Sequence, residues 1–127
     1  MASEPTEGLM EAAVNRSAVV IGHEGAFYAW LQAAGVSDRV IAERKRIAGR
    51  SVYLIPACHD SDEIDEVVAD LFEEIFRREL AKWHGDEELW PDTGDADLFA
   101  RWFTVDGYPL VEDVGRGSIA EESSRGQ

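Results

Sequence analysis

The stretch DEIDEVVADLFEEIFRRELAKW, residues Asp62–Trp83, decides the fold. Its apolar residues are Ile64, Val67, Val68, Leu71, Phe72, Ile75, Phe76, Leu80 and Trp83. They recur every three or four residues, which places them on one stripe of an α-helix. Asp60 and Ser61 stand where an N-cap is needed, and Glu63 follows Asp60 by three residues, the spacing of a capping box. Acids fill the first turns and Arg77, Arg78 and Lys82 the last ones, matching the helix dipole. Gly85 is expected to end the helix as a C′ residue. So long a one-sided helix needs a sheet or other helices to cover its stripe.

Outward from this helix, the chain supplies that cover. On the N-terminal side, Ser17–Ile21 (SAVVI) and Ser51–Ile55 (SVYLI) are short β-branched runs closed by Gly22 and Pro56, and read as strands. Between them, His23–Ala34 reads as a helix with Phe27, Trp30, Leu31 and Ala34 on one face and Gly35 as its stop. A second short helix, Asp38–Ala48, is capped by Ser37 and ended by Gly49. Its apolar face is Val40, Ile41, Ile47 and Ala48, and its polar face is basic. On the C-terminal side, Glu87–Trp90 reads as a helical turn ended by Pro91, and Asp95 caps a short helix reaching about Arg101. Trp102–Val105 and Tyr108–Val114 read as extended segments broken at Asp106-Gly107, forming either a hairpin or one bent strand. The expected class is α+β. A small antiparallel or mixed sheet of three to four strands is covered by the long helix at 62–83 and two or three short helices. Residues 1–8 are expected to be a flexible N-terminus, 9–14 a short helical turn within a single domain spanning 9–114, and 115–127 a polar tail.

An internal echo links Phe27-x-x-Trp30 with Gly35 to Phe99-x-x-Trp102 with Gly107. It reads as two short helices that each aim a Phe/Trp pair at the core.

The 127 residues carry a formal charge of −14, unevenly placed. Residues 60–97 hold 15 acids and 3 bases, while 38–50 hold Arg39, Arg44, Lys45, Arg46 and Arg50 against Asp38 and Glu43. A chain this acidic repels nucleic acid and anionic membrane, so neither is an expected partner. No apolar run is long enough for a membrane span, and the acidic start MASEPTEG is unlike a signal peptide. The single cysteine, Cys58, excludes an internal disulfide and fits a reducing cytoplasm.

Catalytic and metal signatures are weak. His23, His59 and His84 fall at element boundaries, with no second histidine or cysteine three or four residues away. Cys58-His59-Asp60 is contiguous, and neighbouring side chains in an extended loop point apart. On this reading Cys58 packs, while His59 and His84 are solvated ends. The run Asp92, Asp95, Asp97 fails the spacing of a calcium loop. No phosphate-binding loop or nucleophile elbow is present. The expectation is therefore no metal, no cofactor and no catalytic residue. Trp30, Trp83 and Trp102 read as core, and Trp90 either folds back on the end of the long helix or stands as a partly exposed anchor ringed by acids.

Val52-Tyr-Leu-Ile-Pro56, the helix ending E-I-F-x-x-E-L-x-x-W at Glu74–Trp83, Leu89-Trp-Pro91 and Phe99-x-x-Trp-Phe103 together resemble a group of small uncharacterised bacterial proteins. The resemblance covers about residues 51–114. It implies a compact α+β domain in a bacterial cytoplasm and carries over no activity. The leading functional expectation is a non-enzymatic, inhibitor- or immunity-like domain that docks a basic protein, with Asp70, Glu73, Glu74, Glu87, Glu88, Trp90 and Asp92 as candidate interaction residues. Two alternatives are a small enzyme or ligand binder with a pocket near Cys58, His59 and Trp90, and a homodimer formed through the helix stripe or a sheet edge.

Overall fold

The computed structural model describes residues 14–115, 117 and 119. The expectations for 1–8, for the turn at 9–14 except Val14, and for most of the 115–127 tail lie outside the described residues. The described chain is an α+β sandwich. Three strands, β1 (Arg16–His23), β2 (Ser51–Pro56) and β3 (Phe103–Tyr108), pair antiparallel in the order β2-β1-β3. The helices are α1 (Gly25–Ala33), α2 (Asp38–Ala48), α3 (Ser61–Trp83) and α4 (Ala96–Trp102), with a 3-10 turn at Glu87–Leu89.

The register explains which residues are core. Val19 lies opposite Tyr53 and Gly107, and Ile21 opposite Ser51 and Val105, so these residues share one face of the sheet. The long helix packs on that face through Ile64, Ile75, Phe76, Leu80 and Trp83, all buried. Its first turn is capped by Asp60, whose Oδ1 accepts from the Glu63 amide at 3.0 Å. Glu63 reaches back to the His59 amide at 2.6 Å, one residue earlier than a standard capping box. Ser37 and Asp95 cap α2 and α4 in the same way, accepting from the Val40 and Leu98 amides. The two Phe/Trp pairs meet, with Phe27 and Trp30 lying 5.7 and 5.3 Å from the Trp102 ring. Their glycines do different jobs: Gly35 takes φ 96 to end α1, whereas Gly107 lies inside β3.

Several expectations change. His23 ends β1 instead of opening α1. Gly85 is not a left-handed cap; α3 ends because His84 turns extended, with φ −153. On α2, Ile41 alone of the expected apolar face is buried, and Ile47 is 70 % exposed. Arg44 donates to the Lys82 carbonyl at 2.8 Å, which fixes α2 at the end of α3 and leaves Ile47 above a shallow hollow.

The Asp106-Gly107 pair makes no hairpin. β3 runs straight through it, because Gly107 lies directly under α3. A Cβ there would stand 2.7 Å from Ile64 Cγ2 and 2.9 Å from its Cδ1. The missing side chain is what lets the first turn of α3 approach the sheet. Gly107→Ala should therefore destabilise the fold by about 1–3 kcal/mol in urea denaturation, and Ile64→Ala in the same chain should recover part of that loss. A glycine needed only for turn conformation would show no such coupling.

Candidate functional site

Glu79 lies on the apolar stripe of α3, one turn after Ile75 and one turn before Trp83, so the helix aims its carboxylate at the sheet. It is fully buried. A carboxylate in that position must find donors for both oxygens. Oε1 contacts His23 Nε2 at 2.7 Å. Oε2 accepts from the Tyr53 hydroxyl and from Lys82 Nζ, the latter at 3.0 Å. Lys82 also donates to Ser51 Oγ at 2.9 Å and covers the Tyr53 ring. His23 Nδ1 meets the Gly49 carbonyl at 2.9 Å, so both ring nitrogens face oxygens. The ring is walled by Phe27, Trp83 and Phe103.

Burial alone would push the Glu79 carboxyl up. Hydrogen bonds from His23 and Tyr53, the Ser51 hydroxyl and the charge of Lys82 outweigh it and hold the carboxyl at about 2. The same burial and the neighbouring Glu79 charge push the Tyr53 phenol well above its ordinary value. Chemically this is a closed circuit. The side chains of His23 and Glu79 are sealed from solvent, Ser51 and Tyr53 are half-buried, and Lys82 reaches the surface. The circuit joins β1, β2, α3 and the α2–β2 connection and holds a buried charge in place. His23 read from sequence as an isolated boundary histidine, and Glu79 was not singled out.

The expected interaction residues fall on the opposite side of α3. Asp70, Glu73 and Glu74 are exposed, at positions three and four apart. Glu73 pairs with Arg77 at 3.7 Å and Glu74 with Arg78 at 2.6 Å. Buried Thr93 donates to Glu73 at 3.3 Å, and this contact draws Asp92 and the acidic segment after α3 against the helix. Glu87 and Glu88 are exposed on the 3-10 turn. Trp90 is half-buried and donates to the His84 carbonyl at 2.9 Å, so it closes the end of α3, and neighbouring Leu89 is the exposed apolar residue. His84 is held too, its Nε2 lying 3.1 Å from the Ala34 carbonyl, and is not a solvated end.

The pocket expected near Cys58, His59 and Trp90 does not assemble. Cys58 and His59 precede the first turn of α3 and Trp90 closes its last, roughly 34 Å apart for a 23-residue helix. Cys58 is buried, its amide bonded to Ser17 Oγ at 2.8 Å. Among the described residues no three His, Cys, Asp or Glu side chains converge as a metal ion would require. No described helix is long and apolar enough to cross a membrane. Comparisons with protein-family models, curated proteins and solved structures found no match.

The Glu79 circuit makes two measurable statements. Glu79→Ala should destabilise the fold by about 3–5 kcal/mol at neutral pH, since His23, Tyr53 and Lys82 lose their common acceptor. The folded carboxyl titrates at about 2, below its ordinary value of 4.5. Its contribution is therefore complete above pH 4.5 and fades as pH falls towards 2. Denaturation midpoints across that window should fall less steeply for Glu79→Gln than for the parent chain.

Proposed function

We propose that this chain is a non-enzymatic interaction domain that docks a basic protein against the outer face of α3 and the segment at 86–97, in the manner of an inhibitor or immunity protein. The observation that supports this most is the Thr93–Glu73 contact, which merges the acids of the helix and of the following segment into one exposed surface. The pairs Glu73–Arg77 and Glu74–Arg78 on that surface are solvent-exposed, each worth about 0–1 kcal/mol, and exchange readily for a partner's cations. Exposed Leu89 gives the acidic ring an apolar centre. The lone thiol of Cys58, buried and unpaired, suits a reducing cytoplasm.

A second reading, self-association, has its own observation. The stripe of α3 is taken up by the sheet, but Val52, Leu54 and Tyr108 on the other sheet face are 66, 51 and 53 % exposed. Light scattering separates the two readings, a monomer favouring the docking domain and a dimer the self-associating one.

The docking reading predicts a partner of basic charge, retained from an extract of the source cells at low salt and released as salt rises. Asp70→Lys combined with Glu87→Lys and Glu88→Lys should abolish that retention without unfolding the chain, because all three side chains are exposed. Retention unchanged by the triple substitution, or no basic protein retained at all, would overturn the proposal.

A further inference from the structure

A second surface runs against the charge of the whole chain. Where β1 ends and β2 and β3 begin, a basin of about 450 Å³ is lined by His23, Glu24, Tyr28, Lys45, Arg50 and Thr104, with Gly22 and Gly49 completing the wall. Two cations converge there in a chain with 26 acids and 12 bases. Among the described residues, neither Lys45 nor Arg50 makes an ion pair, while Arg46, Arg77, Arg78 and Lys82 each do. Lys45 is held over the Tyr28 ring, its Nζ 4.3 Å from the centroid.

The floor of the basin depends on Gly22. A Cβ at that position would stand 2.5 Å from Thr104 Oγ1 and 3.9 Å from Arg50 Nε. Without it, the hydroxyl and the guanidinium both face the basin. Two cations and a hydroxyl lining one basin suit an oxyanion with several acceptor oxygens. Glu24 lines the same basin and ion-pairs with neither cation, so it offers an acceptor for a hydroxyl group and repels a bare anion. The volume falls in the range of roughly 300–1,000 Å³ typical of small-molecule sites. The net charge of −14 disfavours a polyanion.

We propose that this basin binds a small hydroxylated phosphate monoester of sugar-phosphate size, its phosphate held by Lys45, Arg50 and Thr104 and a hydroxyl held by Glu24. The site lies away from the acidic face of α3, so its failure leaves the docking proposal standing.

The test is an amide NMR titration of the full chain with ribose 5-phosphate, inorganic phosphate, ribose and a short single-stranded DNA. Ribose 5-phosphate should give saturable shifts centred on Gly22, Gly49, Arg50 and Thr104. Inorganic phosphate should bind more weakly and ribose not at all. Lys45→Ala and Arg50→Ala should each weaken binding roughly tenfold or more, and Lys45→Arg should keep most of it. Both residues are exposed, so the variants' own spectra will show that the fold is intact. No saturable shift at about 10 mM ribose 5-phosphate, shifts that ignore both substitutions, or tighter binding of the DNA would overturn the proposal.

Discussion

Glu79 sits at the centre of this fold as a buried charge, and a buried carboxylate persists only where donors replace the water it has lost. The donors come from three separate places. His23 is the last residue of β1, Tyr53 is in the middle of β2, and Lys82 is one turn further along α3. Each is positioned by the backbone of its own element. The circuit therefore specifies register as well as stability. A one-residue slip of β2 would turn Tyr53 to the outer face and put an apolar neighbour against the carboxylate. Hydrophobic burial alone would tolerate such a slip more readily than an unsatisfied charge would.

The arrangement also sorts the charges of an acid-rich chain. One carboxylate faces inward and is held ionised by its partners. Asp70, Glu73, Glu74 and the acids following α3 face outward, where water and two arginines screen them. Lys45 of α2 and Arg50 of the α2–β2 connection line the basin at the end of β1. His23 links the interior to that basin, because its second ring nitrogen fixes the Gly49 carbonyl beside Lys45 and Arg50. The internal circuit thus sets the shape of the basin wall without opening to it.

Local chemistry made much of this readable in the sequence. The stripe of α3, the caps at Ser37, Asp60 and Asp95, and the β-branched runs of β1 and β2 all depend on neighbours within a few residues, and each forms where it was expected. What was not readable depended on distant partners. Asp106-Gly107 has the composition of a turn, yet the approach of Ile64 gives the glycine a different purpose. Glu79 lies on the stripe between Phe76 and Trp83, and a charge there signals a buried partner. That partner could not be named, because His23 and Tyr53 lie 56 and 26 residues away and meet it only through the sheet register. The acidic segment at 86–97 was visible as composition, while its attachment to α3 rests on Thr93, a residue with no distinguishing local pattern.

The most direct test of the account is the ionisation of Glu79 itself, followed through its side-chain carboxyl carbon by NMR while the chain remains folded. Glu79 should stay ionised well below the usual carboxylate range, titrating at about 2 against an ordinary value of 4.5. A carboxyl that titrates at or above 4.5 would mean that burial wins over its donors, and would contradict the claim that a charged Glu79 organises the fold.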